Sequence, residues 1–151
     1  MFRQVIFGLV LVSLLSACAQ PQGNNKDALY VLGDTYLRQR QVTKGWWLMC
    51  AAAGQGQANA QHVLGLFYEG RAALLWPSRG RAPVRTDPIY ALMWYKLAVA
   101  GGVNEVVFYR DALAARLSAP QRFDAETAAG KWQPNPNACG APRKPAPAPG
   151  R

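Results

Sequence analysis

Apolar residues recur along this chain with the period of a helix. Ala28, Leu32 and Tyr36 are spaced i, i+4, i+8, and Ala60, Leu64, Phe67 and Tyr68 are spaced i, i+4, i+7, i+8. Each group therefore falls on one helical face. Ala91, Trp94, Tyr95 and Ala98 form a third such face. The punctuation agrees with helices. Thr43 can cap the helix that carries Trp46, Trp47 and Cys50, because its hydroxyl can accept from a free first-turn amide. Asp87-Pro88 reads as a cap followed by a first-turn proline, and Ser118 can cap the stretch that begins at Ala119. Gly54 and the pair Gly101-Gly102 stand where left-handed C-caps belong. The run "NEVVFYRDALAARL" supplies a further helix. No stretch alternates with period two for long, so the pattern predicts an all-α fold of about six helices and no sheet.

The helices come in copies. "ALYVLGDTY" at 28–36 and "AQHVLGLFY" at 60–68 share Ala, Val-Leu-Gly and Tyr at the same offsets, 32 residues apart. Each is followed by an alanine-rich helix with paired aromatics that ends in glycine: "GWWLMCAAAG" at 45–54 and "ALMWYKLAVAGG" at 91–102. That period belongs to helix-turn-helix repeats. Small Ala and Gly positions let paired helices approach, and Tyr and Trp fill the wider gaps between pairs. One pair cannot bury its apolar face alone, so the units must stack into a short α/α solenoid of antiparallel helix pairs.

At these residues the chain resembles the Sel-one-like repeats, relatives of the tetratricopeptide repeats. The second unit matches that pattern at Ala60, Leu64, Gly65, Tyr68, Asp87, Ala91, Trp94, Tyr95, Ala98 and Gly102. The first matches at Ala28, Leu32, Gly33, Tyr36, Trp46, Ala51 and Gly54. The last two helices look like a degenerate closing pair. The first unit departs from the pattern in its short inter-helix loop, and the second in an expanded loop over 71–86. Cys50 takes a position that the pattern gives to alanine. The resemblance implies a protein–protein adaptor, which is an inference from fold and names no partner.

The N-terminus changes the picture of where such a domain works. "MFRQVIFGLVLVSLLSACAQ" opens with one arginine and an apolar run from Val5 to Leu15. That run falls short of the roughly 20 residues a membrane span needs and has the length of a signal-peptide core. It ends in Leu15-Ser16-Ala17-Cys18, which resembles the lipobox of bacterial lipoproteins, where the cysteine is diacylated and becomes the new N-terminus. Cleavage by ordinary signal peptidase after Ala19 is the competing reading, since Ala17-Cys18-Ala19 also offers small residues. Both send the chain out of the cytosol. With Ala19 after the cysteine, a lipoprotein of a Gram-negative cell is expected at the outer membrane, facing the periplasm. The expected organisation is a signal peptide over 1–17, a lipidated Cys18 and tether over 18–26, a helical-repeat domain over 27–132, and a Pro/Ala-rich disordered tail over 133–151.

The net charge of +9 favours an anionic partner. Export argues against nucleic acid and leaves an envelope protein, the anionic cell wall or lipid head groups. Lys131, Arg143, Lys144 and Arg151 make the tail basic, either as a solvated linker or as a contact to such a polymer. Catalytic chemistry has little support. His62 lies off the Ala60/Leu64/Tyr68 face with no nucleophile or carboxylate motif beside it, so a solvated surface histidine is expected. No CxxC or Cys/His cluster exists, so no metal and no cofactor are expected. A cell-wall or antibiotic hydrolase is the least supported class, and a peptidoglycan-binding module is the main alternative to an adaptor.

Two further sets of residues carry open alternatives. Cys50 and Cys139 can pair in an oxidising compartment, or Cys50 can be a buried inert thiol with Cys139 free or paired to another molecule. Trp46, Trp47, Trp94 and Tyr95 read as core at helical spacing, with the second aromatic of each pair available to line a small groove. The candidate partner surface is the expanded loop, where Arg71, Leu74, Leu75, Trp76, Arg79, Arg81 and Arg85 gather. Arg and Trp are the types enriched at interface hot spots. The competing reading folds Leu74, Leu75 and Trp76 back over the solenoid and leaves the arginines solvated.

Overall fold

A computed structural model describes residues 25–76 and 83–139. Six α-helices follow in order: α1 Lys26–Arg38, α2 Val42–Gly54, α3 Ala58–Glu69, α4 Pro88–Ala100, α5 Val106–Ala114 and α6 Ala119–Gly130. A 3-10 turn, Ala72–Leu74, follows α3. The described residues contain no strand. The expected all-α solenoid is therefore what the chain forms.

Residues 39–41 join α1 to α2, which is too short for anything but an antiparallel hairpin. The axes approach closely because Gly33 and Gly45 face the partner helix. A Cβ on Gly45 would stand 2.6 Å from Leu37 Cγ, and one on Gly33 would stand 3.2 Å from Leu48 Cβ. The second pair, α3 and α4, is also antiparallel: the amide of Asp87, which caps α4, donates to Tyr68 O near the end of α3 at 2.8 Å. Here Gly65 lies against the Tyr95 ring, and any Cβ would overlap it.

Trp46 joins the two pairs. Its ring meets Phe67 and Tyr68 of α3 edge-on, at centroid distances of 5.1 and 5.8 Å. Gln61, buried at the same junction, donates its side-chain amide to Ala53 O of α2 at 3.3 Å. α5 and α6 then close the far side of α4. Trp94 of α4 meets Trp132, just past α6, edge-on at 6.5 Å.

The capping expectations divide. Asp87 Oδ1 accepts from the amides of Ile89 and Tyr90, and Ser118 forms a full capping box with Gln121. Thr43, by contrast, lies inside α2, whose first residue is Val42, and α2 has no side-chain cap. The expected left-handed Gly54 is the last residue of α2, and Gly56 takes the left-handed conformation instead, at φ +79°. Gly54 is needed for a different reason. A Cβ there would collide with Asn135 O.

That contact corrects the expected domain boundary at 132. Residues 133–139 are a strap rather than a disordered tail. The Asn135 amide donates to Gly54 O at 2.7 Å, Ala138 packs on the core, and Cys139 is disulfide-bonded to Cys50 of α2 with a Cα–Cα distance of 5.6 Å. The strap thus carries the C-terminal end of the domain back to the first helix pair. Local composition predicts disorder here because it counts only what the segment can bury alone. The expected signal peptide, Cys18, the tether up to residue 24, and residues 140–151 lie outside the described residues, and Lys26, expected at the end of the tether, is instead the first residue of α1.

Candidate functional site

The expanded loop leaves and returns at one point. Tyr68 and Asp87 are hydrogen-bonded to each other, so the residues between them are not required to join α3 to α4. The first part of the loop is pinned. Ala72 and Trp76 are buried, and the Trp76 ring stacks parallel to Phe67 at 6.2 Å. Trp76 is a packing anchor, and the reading that folds it back over the solenoid is the correct one for this side chain. Arg71 is also engaged. Its guanidinium lies 3.7 Å from Glu69 Oε1 and 5.1 Å from the centroid of the Tyr109 ring. Leu75 and Arg85 are exposed. Arg79, Arg81 and the side chain of Leu74 fall outside the described residues. The candidate surface thus keeps Leu75 and Arg85 among its described members and loses Trp76 and Arg71 to the domain itself.

Beneath the loop lies a cluster that sequence spacing does not reveal. Glu69, at the last position of α3, has a nearly buried side chain. It accepts from the Tyr95 hydroxyl of α4 at 2.7 Å and pairs with Arg116, beyond α5, and with Arg71. One carboxylate therefore ties α3, α4, the loop and the closing helices together. Burial, more than the hydrogen bond to Glu69, pushes the Tyr95 phenol far above its ordinary value, so it stays a neutral donor. Tyr95 is fully buried and does not line a groove. Of the two second aromatics only Trp47 reaches solvent.

His62 belongs to this cluster and is not a solvated surface residue. Its ring lies 5.2 Å from Tyr109 and 6.0 Å from Tyr95, and Nε2 is buried without a hydrogen-bond partner. Burial lowers its pKa, opposed by the charge of Glu105. The Tyr95 hydroxyl is committed to Glu69 rather than to His62, so these contacts give the imidazole no proton-transfer partner. The only signals for the cluster in the chain are the lone acid ending an apolar helix and the paired aromatics of "VFYRD". Neither says that the three helices converge.

A concavity of about 440 Å³ opens where the ends of α1, α3 and α4 meet, between Lys26, Gln57 and Gly102. Two of its polar side chains are used within the fold: Gln57 caps α3 through the Ala60 amide, and the Lys26 ammonium donates to Gly56 O at 3.5 Å. Among the described residues no group of acids, cysteines and histidines could hold a metal ion. No described helix is long and apolar enough to cross a membrane.

The fold defines a class, a short all-helical domain of stacked antiparallel pairs. No family model, curated protein or solved structure matches the chain.

Proposed function

We propose that this protein is a membrane-tethered helical-repeat adaptor of the bacterial cell envelope. It binds another envelope protein and performs no chemistry of its own. Cys18 carries the lipid anchor in this reading, and the outer membrane, facing the periplasm, is its location in a Gram-negative cell. The repeat pattern that resembles the Sel-one-like family supports the adaptor role, as does the excess of positive charge.

The observation that carries the reading is the closed base of the expanded loop. The Asp87 amide meets Tyr68 O, so residues 71–86 are an excursion that joining α3 to α4 does not require. A connection of this length in place of a short turn is commonly functional. Its anchors, Trp76 and Arg71, hold the base of the excursion in place before any partner arrives, which lowers the ordering cost of binding. Arg79, Arg81 and Arg85 suit carboxylates on the partner, which guanidinium groups engage bidentately.

The test is cross-linking in the native envelope with the wild type and with Arg79→Glu/Arg81→Glu. A discrete adduct that the double reversal removes, at unchanged melting temperature, supports the adaptor. Sedimentation of the protein with purified peptidoglycan, abolished by the same reversal, would replace it with a cell-wall-binding module.

A further inference from the structure

The repeat supplies its own template for what should cover α1. In α3, the positions Ala60, Val63, Leu64 and Tyr68 are all buried, and Trp46 of α2 packs on Tyr68 from the preceding pair. The same positions of α1 are Ala28, Val31, Leu32 and Tyr36, at an offset of 32 residues. No described helix precedes α1, and these side chains meet solvent. Val31 is 62% exposed where Val63 is 4%, and Leu32 is 46% exposed where Leu64 is 0%. Ala28 is exposed and Tyr36 half-buried, with the Lys44 ammonium 5.4 Å from its ring. The face is continuous and has the residue types that receive a helix one repeat later. The opposite end of the domain does not match it, since α6 shows solvent mainly polar residues such as Arg122, Asp124 and Glu126, with Phe123 among them.

We propose that a second copy of this chain covers the face, and that the two copies pair through antiparallel α1 helices about a twofold axis at Leu32. Three features of α1 choose a second copy. First, the helix runs from Lys26 to Arg38 with Leu32 at its midpoint, so a twofold axis there overlays the helices along their whole length. Second, that axis sets Ala28 of each copy against Tyr36 of the other, a small residue against a large one, and Leu32 against Leu32. Third, the flanks are complementary. Asp27 and Arg38 are both exposed, lie near opposite ends of α1, and meet in trans at each end of the pair. Arg38 already pairs with Asp34 in its own helix at 2.6 Å, so the guanidinium bridges two carboxylates in the dimer. Antiparallel packing also sets each helix N-terminus beside a C-terminus, which favours the dipoles. An isologous contact of this kind closes at two copies and leads to no filament. The proposal is independent of the adaptor reading, because the α1 face and the expanded loop are different surfaces.

Sedimentation of the full chain in detergent, across a range of concentrations, tests it. The wild type should show a reversible monomer–dimer equilibrium. Leu32→Asp should move the midpoint to about 100-fold higher concentration, the worth of two lost leucine contacts, while the helical content of the monomer, read below the association range, is retained because Leu32 is 46% exposed within one copy. Asp27→Arg should weaken the dimer, and Asp27→Arg/Arg38→Asp should restore it. In a Cys18→Ser background, where Cys50 and Cys139 are paired, Leu32→Cys should form a disulfide dimer under mild oxidation, and Phe108→Cys, which is more open to solvent at 71% against 46%, should not. A wild type that stays monomeric overturns the proposal, whether its α1 face then binds lipid vesicles or a helix of another protein. So does a dimer that ignores Leu32→Asp, or one in which Phe108→Cys cross-links and Leu32→Cys does not.

Discussion

Leu32 and Leu64 hold the same place in the same nine-residue pattern and meet opposite surroundings. Leu64 lies between a preceding pair and its own partner helix, and Leu32 has a partner helix only. Among the described residues the first pair has no neighbour on its α1 side, and it is tied down elsewhere. The C-terminal strap runs back to α2 and fixes it through Cys50–Cys139. The second pair has neighbours on both sides and adds a polar hub at Glu69. Position within a stack decides what an identical sequence contributes, because in such folds each unit's stability comes largely from the interface with the next.

The disulfide offers the largest perturbation of this contrast. It closes a loop across a sequence separation of 89 residues. Cys50→Ala/Cys139→Ala should therefore lower stability by about 4.5 kcal/mol on the chain-entropy account. Hydrogen exchange should show the loss concentrated in α1 and α2. Loss spread evenly over all the helices would mean that the pairs are not separable.

Matched substitutions compare the two environments directly. Leu64→Ala should cost about 3 kcal/mol, as a buried leucine does. Leu32→Ala, measured by denaturant unfolding below the concentration at which copies associate, should stay within about 0.5 kcal/mol of wild type. Equal costs would mean that the α1 face is covered within a single copy.

The glycines give a smaller difference. Gly65→Leu should cost roughly 1–3 kcal/mol by overpacking against Tyr95. Gly33→Ala should cost less, because its new methyl would stand 3.2 Å from the Leu48 Cβ and 3.3 Å from the Met49 Cε and backbone nitrogen, whereas a Cβ at Gly65 would overlap the Tyr95 ring outright. If Gly65→Leu leaves the thermal midpoint where it was, the close approach of α3 and Tyr95 is not tight.

The smallest effect is one of pH and belongs to the second pair alone. His62 is packed against Tyr95 and Tyr109, and burial holds its pKa below the ordinary imidazole value in spite of Glu105. The unfolded chain then binds the proton more readily than the folded one. Stability from this group is complete above about pH 6.5 and declines as pH falls towards the lowered value. Urea midpoints measured down through this window should show the decline in the wild type and lose most of it in His62→Gln. A stability that instead rises on acidification would mean that the imidazolium finds a partner in the fold.

The sequence by itself determined the helices and their pairing. Periodicity and glycine spacing locate α1 to α4, and Asp87 and Ser118 mark helix starts that the structure shares. These signals are legible because amphipathic spacing and end-capping act over only a few residues. The caps at Thr43 and Gly54 misled for the same reason: α2 begins where the short hairpin turn lets it, and Gly54 answers to Asn135, a contact from far along the chain. Contacts between distant segments settle which of the two like faces is buried, that His62 packs against Tyr95 and Tyr109, that Trp76 anchors the loop, and that the strap reaches Cys50. Each depends on a neighbour distant in sequence, and local composition carries no record of what will pack against it.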